Sequence, residues 1–167
     1  MPRSTTECTF PVLAYIGLGA NLGDPRAALD AAVVALAALP DTTLRKMSSI
    51  YRSAPVDSGG PDYLNSVVLL ATRLAPHALL AELQRIEQFQ GRERPYRNAP
   101  RTLDIDLLLY GEQRIATPTL TVPHPRLHER AFVLLPLAQI APQLTLPGRG
   151  RVADLLASVA GQRIDKL

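Results

Sequence analysis

The chain of 167 residues contains only one cysteine, Cys8, so no disulfide can form within it. A single cysteine without a basic neighbour is typical of a reducing compartment and does not indicate a reactive thiol. The chain also lacks the unbroken run of about 20 mostly apolar residues that a transmembrane helix needs, although 47% of its residues are apolar. These absences predict a soluble globular protein of one-domain length, which is large enough to bury a core without disulfides or a structural metal.

The first eleven residues are polar, and they lack the apolar core of about 7–15 residues that a signal peptide carries. We therefore expect a disordered N-terminal extension over residues 1–11, one domain over residues 12–167 and a cytoplasmic location. We also expect a monomer whose partners are small molecules, with neither a membrane nor a nucleic acid among them.

The excess of positive charge is confined to one segment. The net charge is +3, and residues 91–101 account for that excess because they contain four arginines and one glutamate. Charge concentrated in this way favours a compact anionic ligand over an extended nucleic-acid surface. Arginine suits a phosphate ligand because its planar guanidinium binds oxygens in pairs and stays protonated. The four arginines are Arg92, Arg94, Arg97 and Arg101.

Two aspartates, Asp104 and Asp106, follow this segment within the apolar stretch 103–110. Because side chains alternate along a β-strand, both carboxylates are expected on one face. Neighbouring carboxylates repel unless a proton or a cation lies between them, and oxygen ligands suit Mg²⁺, which also binds substrate phosphates. The exposed face of an edge strand is the alternative for such a pair taken alone. Beside the arginines, the pair predicts a Mg²⁺-dependent polyphosphate site.

The order of predicted elements indicates the fold. We predict strands at 12–18, 43–51, 63–74 and 103–110, and helices at 27–39 and 76–90. This β-α-β-β-α-β order predicts an α+β, ferredoxin-like split fold, an antiparallel sheet with both helices on one face. Two further C-terminal helices, near 129–140 and 152–159, are expected to cover the open face or the edges of the sheet.

Local signals mark the start of the first helix. Asp24 is a natural N-cap and Pro25 suits the first helical position. Gly17, Gly19 and Gly23 do not have the spacing of a dinucleotide fingerprint. We therefore expect them to break the first strand into a tight turn towards this helix.

Residues 100–111 resemble the signature of the 6-hydroxymethyl-7,8-dihydropterin pyrophosphokinase family. The resemblance continues, in the order of the family, through residues 14–23, 51–53, 61–65, 84–87, 91–92 and 122–126. Several ordered segments are more specific than one motif. The resemblance implies a folate-pathway enzyme that transfers the β,γ-pyrophosphate of ATP to a pterin hydroxymethyl group, giving AMP and the pterin diphosphate, with two Mg²⁺ ions as cofactors and ATP as co-substrate.

The resemblance also implies roles for individual residues. Asp104 and Asp106 match the metal ligands, and Arg92 and Arg101 match the catalytic arginines. The matching nucleotide-binding positions are Gln84, Glu87, Arg94, Arg97, Leu107, Thr121, His124 and Arg130. The matching pterin-binding positions are Ser53, Val56, Tyr63, Asn65 and Phe132, with Tyr63 and Phe132 on the two faces of the ring. No general base is assigned, because phosphoryl transfer depends mostly on positioning and charge neutralisation.

Two other functions are compatible with a ferredoxin-like fold. RNA-recognition domains stack bases on aromatic residues of the central strands, and residues 65–74 contain no aromatic residue. An inactive paralogue or nucleotide-binding module should lack a metal aspartate or a pterin contact, and neither is missing. The chain departs from the family pattern at Asn98 and Pro125, where some members carry aromatic residues.

Overall fold

The computed structural model describes residues 7–54, 61–90 and 103–167, with the side chains of residues 7–9 excepted. The first half of the chain forms β1 (Glu7–Ala20), α1 (Pro25–Ala37), β2 (Thr42–Met47), β3 (Tyr51–Ser53), β4 (Tyr63–Leu74), α2 (Pro76–Gln90) and β5 (Asp104–Tyr110). The second half forms β6 (Ile115–Ala116), β7 (Thr121–Val122), α3 (Ala131–Ile140), β8 (Thr145–Leu146), β9 (Gly150–Arg151), α4 (Val152–Leu155) and β10 (Ile164–Lys166). Short 3-10 helices lie at Leu127–Glu129 and Leu156–Val159.

The main sheet is antiparallel and has the strand order β10-β3-β4-β1-β5. β2 and β3 both pair with β4, β2 along residues 68–72 and β3 along residues 63–65. β1 is therefore flanked by β4 and β5, and β5 is an edge strand. This arrangement confirms the predicted ferredoxin-like order, with β2 and β3 together in the place of its second strand.

The two long helices cover one face of the sheet, as predicted. Leu29 and Leu36 of α1 and Leu79 and Leu83 of α2 are buried in one core with the inward side chains of β1 and β4. The spacing of these leucines places them on one side of each helix. α1 also begins as predicted, because Asp24 accepts a hydrogen bond of 3.1 Å from the backbone N–H of Ala27 and Pro25 is the first helical residue.

The other face is covered by the C-terminal helices, as expected. Leu134 and Leu137 of α3 are buried against Tyr15, Val67 and Leu69, which point to the opposite side of the sheet from the first core. Apolar layers thus cover both faces of the sheet. An RNA-recognition domain, by contrast, uses one face of its sheet to stack bases, so that face is not covered by helices.

The N-terminal prediction is wrong for residues 7–11. β1 begins at Glu7, which pairs with Leu74, and a bulge separates this pair from the regular register that starts at Val12. The end of β4 offers backbone partners to this segment, and backbone pairing does not require apolar side chains. Residues 1–6 lie outside the described residues, and one domain over residues 12–167 stays a prediction.

The prediction for the glycines is also wrong in part. Gly17 and Gly19 lie within β1, which continues to Ala20, and only Gly23 lies in the turn, with a φ of 64°. The predicted strand 43–51 is divided into β2 and β3 around Ser48, whose hydroxyl accepts a hydrogen bond of 2.9 Å from Val67 N. β10 was not predicted, because three residues carry too short a pattern to recognise.

Across residues 7–54, 61–90 and 103–167, no helix combines the length and the apolar character needed to cross a membrane.

Candidate active site

A cavity of about 320 Å³ lies on the α3 side of the sheet, where α3 begins. β1, β3, β4, β5 and the first turn of α3 all contribute to its wall. Its lining includes seven of the predicted site residues: Ser53, Tyr63, Asn65, Asp104, Asp106, Arg130 and Phe132. A volume above roughly 300 Å³ is the size at which pockets take small organic ligands. The fold therefore joins the predicted metal ligands and the predicted pterin contacts in one space.

The floor of this cavity is the backbone of β1, at two glycines that carry no side chain. Gly19 pairs with Asn65 on one side and Asp104 on the other, and Gly17 pairs with Asp106. A Cβ atom on Gly19 would lie 3.3 Å from Asn65 Oδ1, and a Cβ atom on Gly17 would lie 3.3 Å from a methyl group of Leu108. A side chain at Gly19 would crowd the space between the carboxylates and Asn65.

Asp104 and Asp106 are half-buried and both line the cavity. Leu103, Ile105 and Leu107 point to the opposite side of β5 and are buried in the core under α1 and α2. The predicted alternation along this strand is therefore present. Among the described residues, no group of three or more His, Cys, Asp or Glu side chains could hold a metal ion. Two carboxylates nevertheless fit Mg²⁺, which commonly binds one or two of them and completes its shell with water and phosphate oxygens.

A bulge in β5 lies beside His124, whose imidazole interacts with the Asp106 carboxylate. The register with β1 shifts between Tyr15 and Ile16, so Leu108 and Leu109 both pack on the α3 side. The backbone N–H of His124 donates a hydrogen bond of 2.9 Å to the carbonyl of Leu108. Bulges of this kind occur next to active sites, where they redirect the chain.

The surroundings of His124 favour its neutral imidazole. Burial lowers its pKa, the Asp106 carboxylate opposes this, and the guanidinium groups of Arg130 and Arg126 lower the pKa further. Nδ1 accepts a hydrogen bond of 3.3 Å from the backbone N–H of Arg126. A neutral imidazole that accepts through Nδ1 carries its proton on Nε2, so Nε2 is the donor of this ring.

Besides the carboxylates, the cavity wall contains a polar pair and two aromatic side chains. Asn65 is buried, and its Nδ2 donates a hydrogen bond of 2.7 Å to the hydroxyl of Ser53. Tyr63 and Phe132 are half-buried, and the Arg130 guanidinium carbon lies 5.4 Å from the centre of the Phe132 ring. This distance is within the range of a cation–π contact.

Five predicted nucleotide-binding residues do not line the cavity: Gln84, Glu87, Leu107, Thr121 and His124. Gln84 is exposed on α2 and Thr121 is exposed on β7, while the Leu107 side chain is buried in the core. A carboxylate oxygen of Glu87 accepts a hydrogen bond of 2.8 Å from Ile105 N. Because α2 and β7 both contact β5, Gln84, Glu87 and Thr121 belong to elements that pack against this edge strand. Their nucleotide contacts stay predictions.

The remaining predicted site residues lie outside the described residues: Val56, Arg92, Arg94, Arg97 and Arg101. Sequence reasoning missed Gly17 and Gly19 as cavity residues. The spacing of the two glycines, with one residue between them, is the signal that could have placed both on one face of a strand.

The fold and this cavity define an α+β enzyme with a small-molecule site beside the carboxylates of its edge strand. The chain belongs to the 7,8-dihydro-6-hydroxymethylpterin-pyrophosphokinase family, whose model matches residues 15–142. It is therefore an ATP-using diphosphotransferase of folate biosynthesis, and the alternative of an inactive paralogue or binding module is not favoured.

Relatives from several bacteria support this membership, and each is named 2-amino-4-hydroxy-6-hydroxymethyldihydropteridine pyrophosphokinase. The chain is 46% identical to the protein of Pseudomonas aeruginosa over 92% of this chain and 95% of the relative. It is 45% identical to that of Haemophilus influenzae over 93% of this chain and 98% of the relative.

A solved structure shows the same fold. A triple mutant of Plasmodium falciparum HPPK-DHPS superposes with a TM-score of 0.71 at 14% identity, over 88% of this chain. This chain spans only 44% of that longer protein, so the likeness concerns the fold of one part of it.

Proposed function

We propose that this chain transfers the β,γ-pyrophosphate of ATP to the hydroxymethyl group of 6-hydroxymethyl-7,8-dihydropterin. The hydroxyl oxygen forms a bond to the β-phosphorus, the bond from this phosphorus to the α-phosphate oxygen breaks, and AMP leaves as the hydroxyl proton passes to solvent. The observation that carries the proposal is the cavity in which Asp104 and Asp106 face Asn65, Tyr63 and Phe132 across a bare strand.

Asp104 and Asp106 are the residues that would hold Mg²⁺, and we propose two ions. When bound, Mg²⁺ neutralises phosphate oxygens and orients the transferred group. The two carboxylates occupy alternate positions of one strand, roughly 6–7 Å apart along it. β5 holds them in place because it is paired with β1 and because Glu87 accepts from its outward-facing Ile105 N–H.

Arg130 and His124 are the described donors that we propose for the phosphates. Arg130 lines the same cavity as the two carboxylates, and its guanidinium contacts the Phe132 ring. Burial lowers the pKa of His124, and its Nδ1 accepts from Arg126 N, so the neutral imidazole offers Nε2–H. Preorganised donors of this kind stabilise charge in the transition state without reorganising as the reaction occurs.

The pterin ring is proposed to lie between Tyr63 and Phe132. Asn65 Nδ2 already donates to Ser53, so we assign to Asn65 Oδ1 a hydrogen bond from an N–H on the edge of the pterin. The adenosine of ATP is assigned to the outer side of β5, between α2 and β7. We further propose that the protein acts as a monomer in the cytoplasm.

Phe132→Ala is expected to weaken binding of 6-hydroxymethylpterin roughly tenfold to a hundredfold, since stacking on an aromatic side chain contributes about 1–3 kcal/mol. Isothermal titration calorimetry of both proteins tests this proposal. Phe10→Ala is the matched control, because Phe10 is 78% exposed and no part of the cavity wall. Equal affinity in Phe132→Ala and wild type, or no binding by wild type, would contradict the assigned pterin site.

Gly19→Ala is expected to raise the KM for the pterin about fivefold while kcat changes little. The new methyl group would lie 3.3 Å from Asn65 Oδ1 and displace it by a few tenths of an ångström. Gly19 is in a β-strand, so the fold itself tolerates alanine there. Gly161→Ala is the control, since a Cβ atom there meets no atom within 4 Å. An unchanged KM in Gly19→Ala would show that Asn65 Oδ1 does not contact the pterin.

A further inference from the structure

The start of α3 is capped by a residue from elsewhere in the chain. Arg130 occupies the N-cap position and makes no side-chain capping hydrogen bond. Gln162 makes two hydrogen bonds at this position: its Oε1 accepts from Ala131 N at 2.9 Å, and its Nε2 donates to Glu129 O at 2.7 Å. One side-chain amide therefore binds the backbone groups immediately before and immediately after Arg130.

The residues that follow Gln162 attach to the other wall of the active-site cavity. β10 pairs with β3, with Ile164 opposite Ser53, and Leu167 N donates a hydrogen bond of 2.9 Å to Ile50 O. Residues 162–167 thus hold the strand that carries Ser53 as well as the turn that carries Arg130. This segment lies outside residues 15–142, which the family model matches.

Gln162 acts on the site without lining it. It belongs to a second cavity of about 330 Å³, which shares Arg130 and Phe132 with the active-site cavity. The walls of the active-site cavity do not include Gln162. Gln162 hydrogen-bonds the backbone of Glu129 and Ala131, so we expect its effect on a ligand there to pass through this backbone.

We propose that Gln162 is a positioning residue for pyrophosphoryl transfer, which fixes the backbone on both sides of Arg130 and so orients Arg130 and Phe132. Without these two bonds, the backbone of residues 129–131 loses the only side-chain hydrogen bonds that it makes among the described residues. Small displacements of groups that contact a reacting phosphate are costly, because catalysis here depends on preorganised geometry. The inference rests on the proposed function.

Gln162→Ala is expected to lower kcat/KM about tenfold when assayed well below the melting temperature. Gln162→Glu keeps the acceptor for Ala131 N and loses the donor to Glu129 O, so an intermediate loss is expected. Gln143→Ala is the matched control, because Gln143 is exposed and has no side-chain hydrogen bond within the described part of the chain. Full activity in Gln162→Ala would overturn the inference.

A double-mutant cycle separates positioning from general stability. In an Arg130→Ala background, Gln162→Ala should cost less than about threefold, because the group that it orients is gone. A loss that stays tenfold in both backgrounds would mean that Gln162 does not act through Arg130.

Hydrogen exchange provides a readout that does not depend on activity. Exchange at Ala131 and through the first turn of α3 should accelerate in Gln162→Ala and stay unchanged in Gln143→Ala, while β4 keeps its protection. A wild type that fails to transfer pyrophosphate would remove the proposed function. Faster exchange in Gln162→Ala would still establish that Gln162 fixes the backbone on both sides of Arg130. Unchanged exchange at Ala131 would refute this role of Gln162 even in an active enzyme.

Discussion

Asp106→Asn is expected to lower kcat about a thousandfold, which corresponds to about 4 kcal/mol of lost transition-state stabilisation. The amide has nearly the same size as the carboxylate, so the half-buried position next to Gly17 stays filled. Its negative charge, however, is removed, and with it the main attraction for a divalent cation. Asp104→Asn, one position along the same face, is expected to behave in the same way.

The measurement is steady-state turnover at saturating ATP and pterin across a series of Mg²⁺ concentrations. Asp154→Asn is the control, because Asp154 is exposed on α4 and lies apart from the cavity wall. Melting temperatures within a few degrees of wild type would show that the fold is intact. Retention of more than a tenth of the activity in both aspartate variants would remove the metal assignment.

Asn65→Leu is expected to weaken binding of the pterin roughly a hundredfold, or about 3 kcal/mol. Asn65 is only 4% exposed, and its replacement leaves the Ser53 hydroxyl without its hydrogen-bond partner. It would also remove the acceptor that we propose for the edge of the pterin. A site that hydrogen-bonds its ligand loses more affinity when that bond is absent than an apolar pocket loses when the ligand lacks one methylene group.

The control for this variant must also remove a buried polar group from β4. Thr72→Val does so at the other end of the strand, where Thr72 Oγ1 shares a hydrogen bond of 2.8 Å with Thr42. Calorimetric titration should show a loss of affinity in Asn65→Leu alone. The same loss in both variants would mean that Asn65 supports the strand and does not recognise the pterin.

Much of the fold was predictable from local signals. The Asp24 and Pro25 pair marks the start of α1, and the alternation of Leu103, Ile105 and Leu107 with the two aspartates defines the two faces of β5. Such signals depend on residues close together in the chain, so the sequence displays them directly.

The predictions that failed concern contacts between distant segments. Residues 7–11 form the start of β1 because the far end of β4 supplies a partner, with Leu74 opposite Glu7. Two further features were not predicted at all: the bulge at Leu108 and the contact of Gln162 with the backbone around Arg130. Both depend on strand register and on chain reversal. Local propensity contains no information about such partners.

The grouping of the site itself came from the family resemblance. Ser53 and Phe132 are far apart in the chain, and no local pattern predicts that they line one cavity. The resemblance predicted roles for both, and the structure brings them together with Asn65 and the two aspartates. The bare floor formed by Gly17 and Gly19 was missed because glycine in a sequence more often indicates a turn.

Pyrophosphoryl transfer is tested most directly by identifying the nucleotide product. Purified protein is incubated with ATP, Mg²⁺ and 6-hydroxymethyl-7,8-dihydropterin, and AMP and ADP are separated by chromatography. AMP is expected in equal amount to the pterin diphosphate, and no AMP is expected when the pterin is omitted. ADP as the nucleotide product, or no pterin-dependent product from folded protein, would contradict pyrophosphoryl transfer.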